Sequence, residues 1–190
     1  TRPKPVEPAV QILTIHLSRA TIASSAQAER IVLHEARLDV VPNQPIRIVA
    51  NGEFRNVPVT LDGTGGTLLD AMRGEAEWWP LTLSLRTSAT SLKIEGNVGL
   101  PFGSPRADAQ LSLIGERLNE LNRLLAVEWP ALGPYSLSGH VMLANGTASA
   151  TDVKAMLGAS DLTGDVSVQY IGRQRISANV VSQRIETRDF

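Results

Sequence analysis

The sequence predicts a mainly β protein: a curved, largely antiparallel sheet, open as a groove or partly closed as a sandwich, with one amphipathic helix and short helical turns. Three observations predict it. Apolar and polar residues alternate over most of the chain, the period of strands with one apolar face. Turn-forming residues separate the alternating runs at short intervals. A small pattern, apolar-x-Gly-x-apolar, recurs around Gly52, Gly96, Gly139 and Gly164.

Residues 1–9 hold three prolines and read as an extended linker. Residues 10–17 form a first strand with a local irregularity, since Val10, Ile12, Ile15 and Leu17 keep imperfect alternation. A second apolar run over 31–41 ends at Pro42 and Pro45. A strand over 46–54 follows, and Val57, Val59 and Leu61 form its return. Asp62-Gly63 then reads as a hairpin turn, as does the Gly-rich run through Thr67. Leu68 to Arg73 fits about one helical turn. After Trp78-Trp79-Pro80, strands are expected over 81–85, 92–98 and 107–113, with a loop between Pro101 and Pro105. Of Trp78 and Trp79, one ring is expected in the core and one on the rim.

Residues 116–126 give the one convincing helix, with Leu118, Leu121 and Leu125 on one face and Glu116, Asn119, Glu120 and Arg123 on the other. The stripe is expected to pack over one end of the sheet. The remainder alternates again: Leu137-x-Gly139-x-Val141, a turn at Asn145-Gly146, then Val153, Ala155 and Leu157, then Leu162-x-Gly164-x-Val166, and finally Ile176, Ala178 and Val180. The chain divides into residues 1–9, a strand-rich portion over 10–80, and a β portion over 81–190 continuous with it.

Glycine inside a strand contributes no packing and marks a bend, a bulge or a close approach. Each glycine of the repeated pattern therefore marks either sheet curvature or a smooth dent where a ligand lies. Roughly ten strands at ~4.8 Å spacing span about 48 Å, whereas one helix is only ~10 Å wide and cannot cover them. The apolar face is buried by the sheet folding on itself, or it lines a trough that a lipid or a partner fills.

The 190 residues balance 18 Lys and Arg against 19 Asp and Glu, so nothing invites nucleic acid. There are no cysteines, which excludes disulfides and Cys-based metal or redox sites. No run approaches the ~18 apolar residues of a membrane span. His16, His34 and His140 are isolated, and no GxSxG, HExxH or Walker spacing occurs. Ser160, Asp161 and Asp165 lack calcium-loop spacing. The expectation is no enzyme, no catalytic residue, no metal and no cofactor.

Leu111-Ser-Leu-Ile-Gly115, then Leu118 to Leu121, then Trp129-Pro-Ala-Leu-Gly-Pro-Tyr-Ser-Leu-Ser-Gly139, resemble the AsmA family of Gram-negative envelope proteins. So does Leu157-Gly-Ala-Ser-Asp-Leu-Thr-Gly-Asp-Val166, with Arg175 to Ser182 behind it. The likeness covers residues 81–190 well and the first eighty loosely, and it departs from the family pattern near Arg173-Gln174-Arg175. The resemblance implies a periplasmic segment of a longer chain anchored in the inner membrane, related to bridge-like lipid transfer proteins. It implies a role in phospholipid movement toward the outer membrane and in outer-membrane biogenesis. The ligand would be a phospholipid or another acyl chain, held against Leu81, Leu83, Leu85, Leu92, Ile94, Val98, Leu137, Val141, Val166 and Val168. The alternative is an envelope scaffold that binds another protein, for instance by strand addition at an open sheet edge.

Overall fold

The computed structural model describes residues 13–23, 30–73, 77–99, 106–172 and 174–186. The linker over 1–9, the start of the first strand, the loop over 101–105, Arg173 and the end of the polar tail lie outside the described residues. Eleven strands form one sheet in strict chain order, each antiparallel to the next. They are β1 (Leu13–Ala23), β2 (Arg30–Val40), β3 (Pro45–Phe54), β4 (Val57–Thr67), β5 (Trp78–Arg86) and β6 (Thr90–Gly99), followed by β7 (Ala107–Gly115), β8 (Tyr135–Ala144), β9 (Thr147–Leu157), β10 (Ser160–Gln169) and β11 (Arg175–Val181). The first and last strands do not pair, so the sheet is not a closed barrel. The boundary expected at residues 80/81 falls inside β5.

Local chemistry accounts for the connections. Arg55 and Asn56 join β3 to β4 with both φ angles positive, at 51° and 61°, and Asn145-Gly146 joins β8 to β9 in the same way, at 51° and 75°. Such turns match the twist of the strands they join. The Thr67 hydroxyl accepts from the Asp70 amide at 3.1 Å and donates to the Asp70 carboxylate at 2.7 Å, which starts the single-turn helix α1 (Leu68–Arg73).

Asp62 to Thr67 is not a turn. It is the second half of β4. A Cβ on Gly65 or Gly66 would collide with the Trp79 indole, so the glycines clear a flat seat for that ring. The indole Nε1 donates to the Thr67 carbonyl at 3.1 Å. Trp78, 38% exposed, lies on the rim under the Arg106 guanidinium, 5.3 Å from its ring centroid.

The amphipathic helix expected over 116–126 is present but short. A 3-10 turn, Leu118–Leu121, runs into one α-helical turn, α2 (Asn122–Leu125), and Ala126 stops it in the left-handed region. Asn122 explains the early stop. Its side-chain oxygen accepts from the Trp129 amide at 2.8 Å and its nitrogen donates to the Trp129 carbonyl at 2.9 Å, folding the chain back instead of onward. Leu121 is buried, whereas Leu125 is exposed.

The four patterned glycines mark curvature. A Cβ on Gly52, Gly96 or Gly164 would press into a carbonyl of the adjacent strand, on Val32, Asp108 and Asn179 respectively. Gly139 would crowd Thr151 and Val153 at 3.3 Å. Three of the four sit where pairing slips: between Leu33 and Glu35 opposite Gly52, between Ser138 and His140 around Gly139, and between Gly164 and Val166. Bulges in mid-strand bend the strands themselves, so the sheet curls about an axis that crosses them.

Candidate functional site

Register places every predicted site residue on one face. Residues paired across neighbouring strands point to the same side, as do residues two apart within a strand. Leu85 pairs with Leu92, Leu92 with Leu113, Leu113 with Leu137, Leu137 with Ala155, and Ala155 with Leu162. A second row runs Leu83, Ile94, Leu111, Gly139. A third runs Leu81, Gly96, Ala109, Val141, Ala150, Val166, Ala178. A fourth runs Trp79, Val98, Ala107, Leu143, Ala148, Val168, Ile176. In the other direction Leu83 continues through Gly63, Ile48 and Leu38 to Ile15.

The ten predicted residues therefore belong to one apolar carpet that crosses all eleven strands. Each of them is half-buried. Among the described residues no second layer covers the carpet away from the capped end, and no large side chain is fully buried. Exposure rises toward the sheet edges: Leu13 and Leu17 on β1 are 48% exposed, and Ile176 on β11 is 74% exposed.

The prediction omitted β7. Ala107, Ala109, Leu111 and Leu113 fill the same rows between β6 and β8, and their alternation marks them equally well. It also omitted the carpet's continuation over β1 to β4, where bulges interrupt the alternation.

The opposite face is mostly polar, with Val49, Ile114, Met142 and Met156 exposed on it, and it carries ion pairs within a strand or between adjacent strands. Arg37 meets Asp39 at 2.7 Å, Lys93 meets Glu95 at 2.8 Å, and Arg47 meets Asp62 at 3.2 Å. The Arg37 guanidinium, helped by the Thr14 hydroxyl, holds Asp39 below its ordinary carboxylate range. Lys93 does the same for Glu95. Glu95 is exposed and Asp39 half-buried at the surface, so their energetic weight is small. His140 reaches Asp108 at 2.5 Å and His34 reaches Glu53 at 3.3 Å on this outer side.

One end of the sheet is capped. The connection between β7 and β8 ties back to three turns at that end. Arg55 Nη1 donates to the Leu124 carbonyl at 3.1 Å, the Glu116 amide donates to the Ala89 carbonyl at 3.3 Å, and the Gly158 amide donates to the Pro134 carbonyl at 2.8 Å. Beneath it the Tyr135 hydroxyl meets the buried Thr90 hydroxyl at 2.8 Å, and Gly115 leaves room for the Tyr135 ring. Burial pushes the Tyr135 hydroxyl above its ordinary pKa of 10.0; the Thr90 bond partly opposes this, and the Glu120 carboxylate adds to it. The Asp161 and Asp165 carboxylates accept backbone amides, from Gln183, Arg184 and Asp152.

Against known proteins, the chain is similar to the AsmA family protein YhjG of Escherichia coli (strain K12), 27% identical over 147 residues. That match covers 74% of this chain but 21% of the relative, so the chain spans about a fifth of the curated relative's length. No family model matches the chain, and no solved structure matches it.

Proposed function

We propose that this chain, which belongs to the AsmA family, is a segment of a trough that holds the acyl chains of phospholipids and serves lipid movement between the inner and outer membranes. On this reading it works in the cell envelope, on the periplasmic side, and without catalysis. The observation that carries the reading is the apolar face that crosses an eleven-stranded sheet and, among the described residues, has no second layer away from the capped end. An apolar surface of this extent, left to water, favours association or a ligand. Acyl chains suit it because the rows contain no charged side chain to recognise a headgroup, while the ion pairs lie on the outer face. Among the described residues no helix is long and apolar enough to cross a membrane.

Native mass spectrometry of the chain made in the periplasm, with lipid extraction, tests the proposal. Bound phospholipid is expected, and Val98→Asp and Val141→Asp each remove most of it. A lipid-free monomer would overturn the trough. A second reading draws on β11, all seven of whose residues are exposed. That edge suits an added strand from an envelope protein, and a stoichiometric protein partner recovered without lipid would favour it.

A further inference from the structure

The capped end of the sheet contains a hollow that the general trough does not explain. It measures about 390 Å³, within the size range of small-ligand pockets. Its floor is Leu137, Ala155 and Leu162 from the apolar rows; Leu121 and Trp129 from the β7–β8 connection form its walls. Ile185 closes the remaining side.

The polar groups of residues 160–161 and 182 at its rim are already committed. Asp161 Oδ1 accepts from the Arg184 amide at 2.7 Å, the Gln183 amide at 3.0 Å and the Ser182 hydroxyl at 3.3 Å. Ser160 Oγ accepts from the Glu186 amide at 2.9 Å. These bonds strap residues 182–186 across the β9–β10 turn and hold Ile185 in place. A ligand whose carboxylate or hydroxyl sought Ser160 or Asp161 would have to break the strap. An alkyl chain would not, and the floor is continuous with the carpet along Leu137, Ala155 and Leu162.

We infer that this hollow seats one acyl chain of a phospholipid, whose headgroup stays outside the strap. The inference names the ligand of one end of the proposed trough and rests on that reading for its lipid class. Trp129 is a built-in reporter of the hollow, while Trp79, on the carpet of β5, reports the trough.

The test titrates the chain with phosphatidylethanolamine carrying a dibrominated stearoyl chain and follows tryptophan emission, which bromine quenches on contact. Quenching is expected in the wild type, and the share of it that Trp129→Phe removes reports the hollow, because Trp79 lies on the carpet and reports lipid in the trough. Ala155→Phe fills the floor and weakens the apparent affinity roughly tenfold, the loss of about two buried methylenes. Where Ala155→Phe fails to fold, Ile185→Asp, at a site 68% exposed, puts a charge at the mouth with the same expected weakening. Brominated lipid that co-elutes with the chain but leaves Trp129 unquenched overturns the hollow and leaves the trough standing. Quenching indifferent to both variants overturns it as mere surface contact. Quenching that survives Ile94→Asp while all other lipid binding is absent upholds the hollow and removes the trough.

Discussion

Replacing Gly96 with Ala separates the two meanings of a strand glycine. Gly96 pairs with Leu81 on one side and Ala109 on the other, in the middle of the sheet. An added Cβ would lie under 3.0 Å from the Asp108 carbonyl and the Ala109 Cα, where ordinary contact begins at 3.4 Å. The obstacle is backbone held by hydrogen bonds on both sides, so β7 itself must move by about 1 Å. Overpacking of this kind costs ~1–3 kcal/mol, offset by ~0.4–1 kcal/mol because Ala restricts the unfolded chain. The net loss is about 1–2 kcal/mol, which in a chain of this size lowers Tm by roughly 2–8 °C. Gly63 is the control on the same face. There the added Cβ meets the tips of Leu83 at 2.6 Å and Ile48 at 3.0 Å, with the Thr82 carbonyl at 3.3 Å. Rotamer changes relieve the first two, so Gly63→Ala falls within about 0.5 kcal/mol of neutral. Differential scanning fluorimetry of both variants, alongside lipid retention by native mass spectrometry, reads the difference. A Gly96→Ala protein with unchanged Tm and lost lipid would refute the curvature argument and make Gly96 part of a ligand dent.

Three further outcomes follow from the capped end. Tyr135→Phe leaves the Thr90 hydroxyl buried without its partner, at a cost of about 1–3 kcal/mol, measurable as a fall in Tm. Because the folded chain keeps the Tyr135 hydroxyl protonated above its ordinary 10.0, the unfolded chain ionises first on raising pH. The stability is therefore intact below about pH 10 and declines as pH climbs through the raised folded value, a decline that Tyr135→Phe reduces. Asp161→Asn removes the charge from three hydrogen bonds that hold the strap. Bonds to a charged acceptor contribute about 1.5–3 kcal/mol, so hydrogen exchange at Gln183 and Arg184 should quicken by roughly 10- to 100-fold. Exchange unchanged at those two amides would show that something other than Asp161 holds the segment.

The fold was legible where alternation is unbroken. Leu81, Leu83 and Leu85, and Leu111 and Leu113, announce strands because side chains two apart share a face, and their register follows from short turns such as Asn145-Gly146. The Asp62 to Thr67 run misled because glycine has two uses. It permits turns, but it also clears space, and only the position of Trp79 across the ladder reveals which use applies here. The helix was overestimated because the Leu118, Leu121 and Leu125 spacing says nothing of what Asn122 bonds to. On β1 and β2 the apolar face was obscured by Arg19, whose φ is 54°, and by the slip beside His34, which shift the period by one residue. The hollow was illegible for a different reason. Ile185 sits in a tail that reads as polar, and it reaches Leu162 only through the Asp161 strap.

An open meander of this kind has an unusual energetic structure. Each strand's main contacts are with its sequence neighbours, so stability accumulates strand by strand, as in a repeat protein, rather than from one shared core. Among the described residues only a few apolar side chains, Val40, Ala50, Leu121, Tyr135 and Val153, are buried outright. The half-buried rows gain little from the fold alone and stand to gain more from whatever lies on them, at ~25 cal/mol per Å² removed from water. An occupant of the carpet is then linked to folding, since anything that binds only the folded sheet stabilises it. It is also exchangeable, because no single strand needs to open for it to leave. Both properties suit a surface over which acyl chains pass, and neither suits a dry sandwich core. Lipid-dependent gains in Tm that vanish with Val141→Asp would tie the two together.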